Sequence, residues 1–209
     1  MDSRFIILSG IVGTMADIYT FFRVFVPLFI IINPLAVLPN FIDVVRHSDR
    51  KSVNRISLKT TGSALVLLLF FVAVGEPLFS MIGITKYAFM VACGILLLYM
   101  SLGMLSGDPP VTRNVEIDTS SIVPMSIPLL VGPGSIATSI VLEGEYGKAM
   151  VVASVIACMV LSKLMFDYHR FFFRLMGKNG LSAWNRLSAL FFAAIAVNLI
   201  VTGLGLVRW

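Results

Sequence analysis

Two short stretches hold the residues best suited to chemistry. Residues 34–42 read Pro-Leu-Ala-Val-Leu-Pro-Asn-Phe-Ile and residues 128–136 read Pro-Leu-Leu-Val-Gly-Pro-Gly-Ser-Ile, and both lie inside long apolar runs. Pro34 and Pro39 in the first, and Pro128 and Pro133 with Gly132 and Gly134 in the second, each remove a backbone N–H or loosen the chain, which predicts broken helices. An unsatisfied amide or carbonyl is costly in hydrocarbon, so such breaks should face protein or a water-filled cavity. A half-helix restarting at Asn40, Gly134 or Ser135 would aim its first amides and positive dipole end into that cavity, an arrangement suited to a carboxylate. The expected substrate-binding residues are therefore Asn33, Pro34, Pro39, Asn40, Pro128, Gly132, Pro133, Gly134 and Ser135. The alternative is that the prolines and glycines only kink packed helices, with the two asparagines as caps or interhelical hydrogen bonds.

Other chemistry finds less support. Glu76 is the acid nearest an apolar interior and is the candidate for a coupling proton, against the alternative of a solvated residue at the end of its span. Cys93 and Cys158 fall inside spans and read as small apolar residues, so neither a disulfide framework nor a metal cluster is expected. His47 and His169 lie in basic segments, which leaves Ser135 without the base that a serine nucleophile needs. Residues 132–135 lack the spacing and the lysine of a phosphate loop. No catalytic residue, metal or cofactor is expected.

The elements that position these motifs follow from composition. Of 209 residues, 58% are hydrophobic and 13% charged, and the mean hydropathy is +0.95, too little polar surface to cover a soluble globule. Uncharged runs measured against the roughly 20 residues needed to cross a bilayer give six spans: residues 24–42, 60–75 (extending to 79), 87–107, 119–142, 149–162 (extending to about 166) and 187–207. Lys163 would snorkel at the end of the fifth. Residues 5–15 are too short to span and read as an interfacial helix or the outer end of the first span.

The net charge of +5 is distributed between spans and forms no continuous face, so it points to membrane orientation and away from nucleic acid. Arg46, Arg50, Lys51, Arg55 and Lys59, then Arg113, then Lys163, Arg170, Arg174, Lys178 and Arg186 fall on one side, against Arg4, Lys86, Lys148 and Arg208 on the other. By the positive-inside rule both termini are outside.

The two proline motifs repeat at an offset of 94 residues, which also aligns Gly94 with Ser188 and brings the basic segments 46–59 and 170–186 into register. Three spans per half is an odd number, so the halves run in opposite senses. The expected fold is thus one all-α transmembrane domain over residues 1–209, with repeats at about 18–106 and 112–207, and with helices one and four broken.

The residues also resemble a known family. Residues 31–41 (Ile-Ile-Asn-Pro-Leu-Ala-Val-Leu-Pro-Asn-Phe), 92–97, 127–136, 185–187 and 193–196 are similar to the MarC family, over about residues 22–203. Departures are Ala36 where the family commonly has Gly, Ser188-Ala189 where Met-Gly is usual, and Asn198 where Gln is frequent. With no targeting signal evident beyond the hydrophobic spans, the expected site is the cytoplasmic membrane of a prokaryote, as a multi-pass protein. One relative, SnatA, is described as a proton-coupled transporter of small neutral amino acids; that implies such a solute as substrate, with Asn33, Pro34 and Pro39 in one family motif and Pro128, Gly132, Pro133, Gly134 and Ser135 in the other. A transporter of this kind should show a polar cavity lined by both motifs, whereas a non-transporting structural or regulatory protein should fill that region with apolar side chains.

Overall fold

The structure, a computed structural model, describes the backbone over residues 3–106 and 130–205 and side chains from residue 17 on, Lys178 apart. Every element among these residues is helical: α1 (Ser3–Ile32), α2 (Pro34–Val45), α3 (Arg50–Ile82), α4 (Lys86–Ser106), α5 (Pro133–Tyr146), α6 (Lys148–Asp167) and α7 (His169–Gly203). Four helical stretches are long and apolar enough to cross a membrane, namely α3, α4, α6 and Asn179–Gly203 within α7. The pair Asp17–Ile32 and Pro34–Val45, bent by 41°, makes a fifth if taken as one broken span. At 14 residues, α5 rises only about 21 Å at ~1.5 Å per residue, short of the roughly 30 Å hydrocarbon core.

Large apolar side chains stand exposed along the helices, among them Val66, Tyr99, Leu102, Val160, Leu190 and Val197. A surface this apolar is stable only against lipid. The interior divides in two. A main core joins α1, α2, α3, α6, the first part of α7 and, through Leu142, α5 around Leu28, Leu38, Phe41, Leu68, Val155 and Phe166; a smaller cluster of Cys93, Leu97, Ala137, Phe192, Ala196 and Leu199 joins α4, α5 and α7. Small residues let α4 and α7 approach closely: a methyl added at Gly94 would lie 2.8 Å from the Ala196 carbonyl oxygen.

The charged ends of the bundle are distinct. At one, Arg50, Lys51, Asn54, Asp167 and Tyr168 line a shared cleft. Lys163 there does not simply snorkel to water: its ammonium donates to Asp167 and, at 3.0 Å, to Asn54 Oδ1, while the Ser57 hydroxyl also donates to Asp167. At the other end Lys86, Tyr87, Glu145 and Gly205 meet around a cavity, and Lys148 pairs with Glu143 at 3.3 Å.

Several expected boundaries move. The helix that holds the second span starts at Arg50, because the basic residues form a polar first stretch of α3 and not a loop. The sixth belongs to a helix that starts at His169 and is kinked at Gly177, whose φ of 62° is outside the helical region. Phe171 and Leu175 are exposed directly after Arg170 and Arg174, the composition of a helix lying in the interface. Residues 5–15 continue α1 without a break. The first part of the expected fourth span, residues 119–129, lies outside the described residues, as does Pro128.

Candidate functional site

The first break forms at Asn33. Pro34 has no N–H to continue the α1 ladder and its ring disfavours the right-handed helical conformation at the residue before it. Asn33 instead adopts left-handed backbone, φ 45° and ψ 58°, which asparagine tolerates better than most residues. Its N–H donates to the Phe29 carbonyl at 3.0 Å, the bond that closes a helix with a left-handed residue. Pro34 then opens α2 at the first helical position, where its missing donor is not needed. Pro39 lies inside α2, so the expected restart at Asn40 is corrected: the ring of Pro39 opposes only the Leu35 carbonyl in the first turn, where a small tilt relieves it.

The second helix start is built differently. Gly132 is extended at φ −92° and ψ 172°, Pro133 takes the first helical position, and the Ser135 and Ile136 amides donate back to the Gly132 carbonyl at 3.1 and 3.3 Å. The Ser135 hydroxyl donates to the same carbonyl at 2.9 Å. Gly134 is held against α4: a methyl there would lie 1.9 Å from Leu97 Cδ1. Its own N–H, at the second helical position, has no acceptor within the helix. The helix therefore starts at Pro133, one residue ahead of the expected Gly134 or Ser135.

These two starts share one cavity. Its lining includes Asn33, Ala36 and Asn40 from the first motif, Gly132, Pro133, Gly134 and Ser135 from the second, Leu97, Met100 and Met104 from α4, and Asn185 and Phe192 from α7. The volume is about 100 Å³, well below the roughly 300–1,000 Å³ of pockets for drug-sized ligands, so only a small solute fits. No Asp, Glu, His, Lys or Arg is among the described residues that line it.

The polar groups are amides. The Trp184 indole N–H donates to Asn33 Oδ1 at 2.9 Å; because an indole can only donate, this bond fixes which end of the Asn33 amide faces Trp184. The other end, Nδ2, is buried without a partner, as is Oδ1 of Asn185. Asn33 as a whole is 5% exposed. One orphan donor and one orphan acceptor thus border an uncharged cavity, and buried orphans of this kind call for a partner.

Of the sequence-predicted residues, Asn33, Asn40, Gly132, Pro133, Gly134 and Ser135 come together here. Pro34 and Pro39 do not line the cavity and act on the backbone. Glu76 stands apart at the Lys86 end, its side chain 71% exposed and 3.6 Å from Lys86. Sequence reasoning missed Asn185 and Trp184 as site residues; the only signal was the Asn185-Arg186-Leu187 segment, which gave no reason to place it 151 residues away against Asn33.

Comparison with known proteins agrees with this picture at the level of family. The sequence model of the MarC family integral membrane proteins matches residues 18–207. The chain belongs to the MarC family. A UPF0056 membrane protein of Aquifex aeolicus is 30% identical, over 88% of this chain and 92% of its own length. Another, of Methanocaldococcus jannaschii, is 33% identical over 86% and 84%, and YhcE of Escherichia coli is 24% identical over 92% and 95%. Relatives therefore occur in bacteria and archaea. No solved structure matches the chain.

Proposed function

We propose that this MarC family protein is a secondary transporter of small neutral solutes, with small neutral amino acids as its substrate class, binding between the Asn33 break and the α5 N-terminus. The observation that carries the reading is the uncharged cavity with two orphan amide atoms of opposite character. A carboxylate would accept from Asn33 Nδ2 and the Gly134 amide and lie at the positive end of α5; an ammonium would donate to Asn185 Oδ1. A cavity without a fixed charge suits a solute whose own charges cancel. The few polar groups set among its mostly apolar lining favour this over the kink-only alternative.

The architecture that goes with this reading is six spans in two inverted halves. The packing supports it for two of the three pairs, since α3 lies on α6 and α4 on α7. The excess of Lys and Arg at the Arg50 end makes that end cytoplasmic and puts both termini outside, in the cytoplasmic membrane of a prokaryote. Glu76, exposed and ion-paired, is no longer the group to which we assign a coupling proton.

Ligand-dependent melting tests the reading, because a solute that binds only the folded protein raises Tm by mass action. Millimolar glycine, alanine or serine should raise Tm, and Asn33→Gly or Asn185→Ala should remove the increase. An unchanged Tm across a panel of neutral amino acids would overturn the substrate class.

A further inference from the structure

A second, wider cavity of about 670 Å³ lies at the Lys86 end, lined by residues of α4, α5 and the end of α7, including Tyr87, Met90, Val141, Glu145 and Thr202. The same three helices line the central cavity through Leu97, Ser135 and Phe192. Between the two sets lie about one and a half to three helical turns, ~7 to 15 Å at ~1.5 Å per residue. On each helix that interval contains a buried member of the smaller apolar cluster: Cys93 on α4, Ala137 on α5, Ala196 and Leu199 on α7, none more than 2% exposed.

We propose that the cavity at the Lys86 end is the vestibule through which solute reaches the central cavity, and that Cys93, Ala137, Ala196 and Leu199 form the gate between them. This rests on the transporter reading.

Three features distinguish the layer from ordinary packing. It is separate from the main core and, except for Leu199, is made of small residues, so a modest shift opens it. Thr138 on α5, between the two sets of lining residues, and Thr202 at the vestibule each bury a hydroxyl oxygen without a partner. An opened path gives these hydroxyls water or solute to bond. Finally, α5 is flanked by Gly132 and by Gly147 at φ 83°, positions where a short helix can pivot as a unit.

Cysteine accessibility tests the gate without needing a solute. In a Cys93→Ala, Cys158→Ala background, which keeps the layer apolar, Thr202→Cys reports the vestibule and Ser135→Cys the central cavity, in proteoliposomes treated from one side at a time with a membrane-impermeant methanethiosulfonate. Thr202→Cys should react from one side only, and from that side Ser135→Cys should react slowly. Adding Leu199→Ala should speed the Ser135→Cys reaction roughly tenfold or more as the closed layer loses packing, and adding Ala137→Leu should suppress it. If Leu199→Ala fails to fold, Val141→Ala at the vestibule rim carries the same expectation. A Ser135→Cys rate indifferent to all these changes, or a Thr202→Cys closed to both sides, overturns the gate. A melting shift with neutral amino acids alongside indifferent labelling would retire the gate alone; gate-dependent labelling with no melting shift would retire the substrate class and leave the gate standing.

Discussion

The two helix starts at the central cavity reach the same end by opposite means. At Asn33 the chain turns through a left-handed residue whose side chain is clamped by Trp184 from α7. At Gly132 the backbone is extended, and α5 is held by the close approach of Gly134 to Leu97 of α4. The first break is fixed by a hydrogen bond that a small rotation can lengthen; the second is fixed by contact, which a small translation relieves all at once. For the proposed transport, which needs two halves that move against each other, the Asn33 break fits the pivot and the α5 start the part that separates.

The largest expected effect tests the clamp. Asn33→Ala removes the acceptor of a buried indole N–H, about 1–3 kcal/mol, and puts a poor left-handed residue at φ 45°, about 1–2 kcal/mol more. Asn33→Gly loses only the first of these. A clear fall in Tm for the alanine variant, with glycine intermediate, would show that backbone and clamp both hold this break; equal falls would reduce it to the clamp. Next in size is Gly134→Ala, where displacing Leu97 should cost about 1–3 kcal/mol. Its neighbour Gly132 has nothing within 4 Å of an added methyl, so Gly132→Ala should cost about 1 kcal/mol or less, the helix-cap preference alone. If the two glycine variants melt together, contact is not what holds the α5 start.

The asymmetry also explains what the sequence made legible. The apolar runs, the two proline motifs and most of their polar neighbours could be read directly, because helix breaking by proline is a local property. Which proline opens each helix could not. The offset of 94 pairs Pro34 with Pro128 and Pro39 with Pro133, yet α2 opens at Pro34 and α5 at Pro133; the choice depends on whether the residue ahead can turn left-handed, as Asn33 does, or must extend, as Gly132 does. Asn185 was hidden for another reason. Its position in α7 is polar without periodicity, and only the long-range contact of Trp184 with Asn33 brings that stretch to the cavity. The basic segments read as loops because charge was taken to end a span, whereas α3 and α7 carry helix through it.

The smallest effects separate shape from anchoring, one at each break. Ser135→Ala should remove the hydroxyl bond to the Gly132 carbonyl, about 0.5–1.5 kcal/mol, and weaken every ligand alike, because it loosens the α5 start without changing the room in front of it. Ala36→Gly restores the residue common in the family and removes one methyl from the cavity wall contributed by α2. Glycine inside a helix costs roughly 0.5–1 kcal/mol, so both variants should melt a little lower without ligand. Their melting shifts should nevertheless differ in pattern. With Ala36→Gly the preference should move toward the larger of two neutral amino acids, for example from alanine to valine, since a missing methyl gives space and takes no hydrogen bond away. A uniform loss across the panel for Ala36→Gly would mean that α2 holds the solute through its backbone, as α5 does, and the contrast between pivot and contact would then lie in how the helices move and not in how they bind.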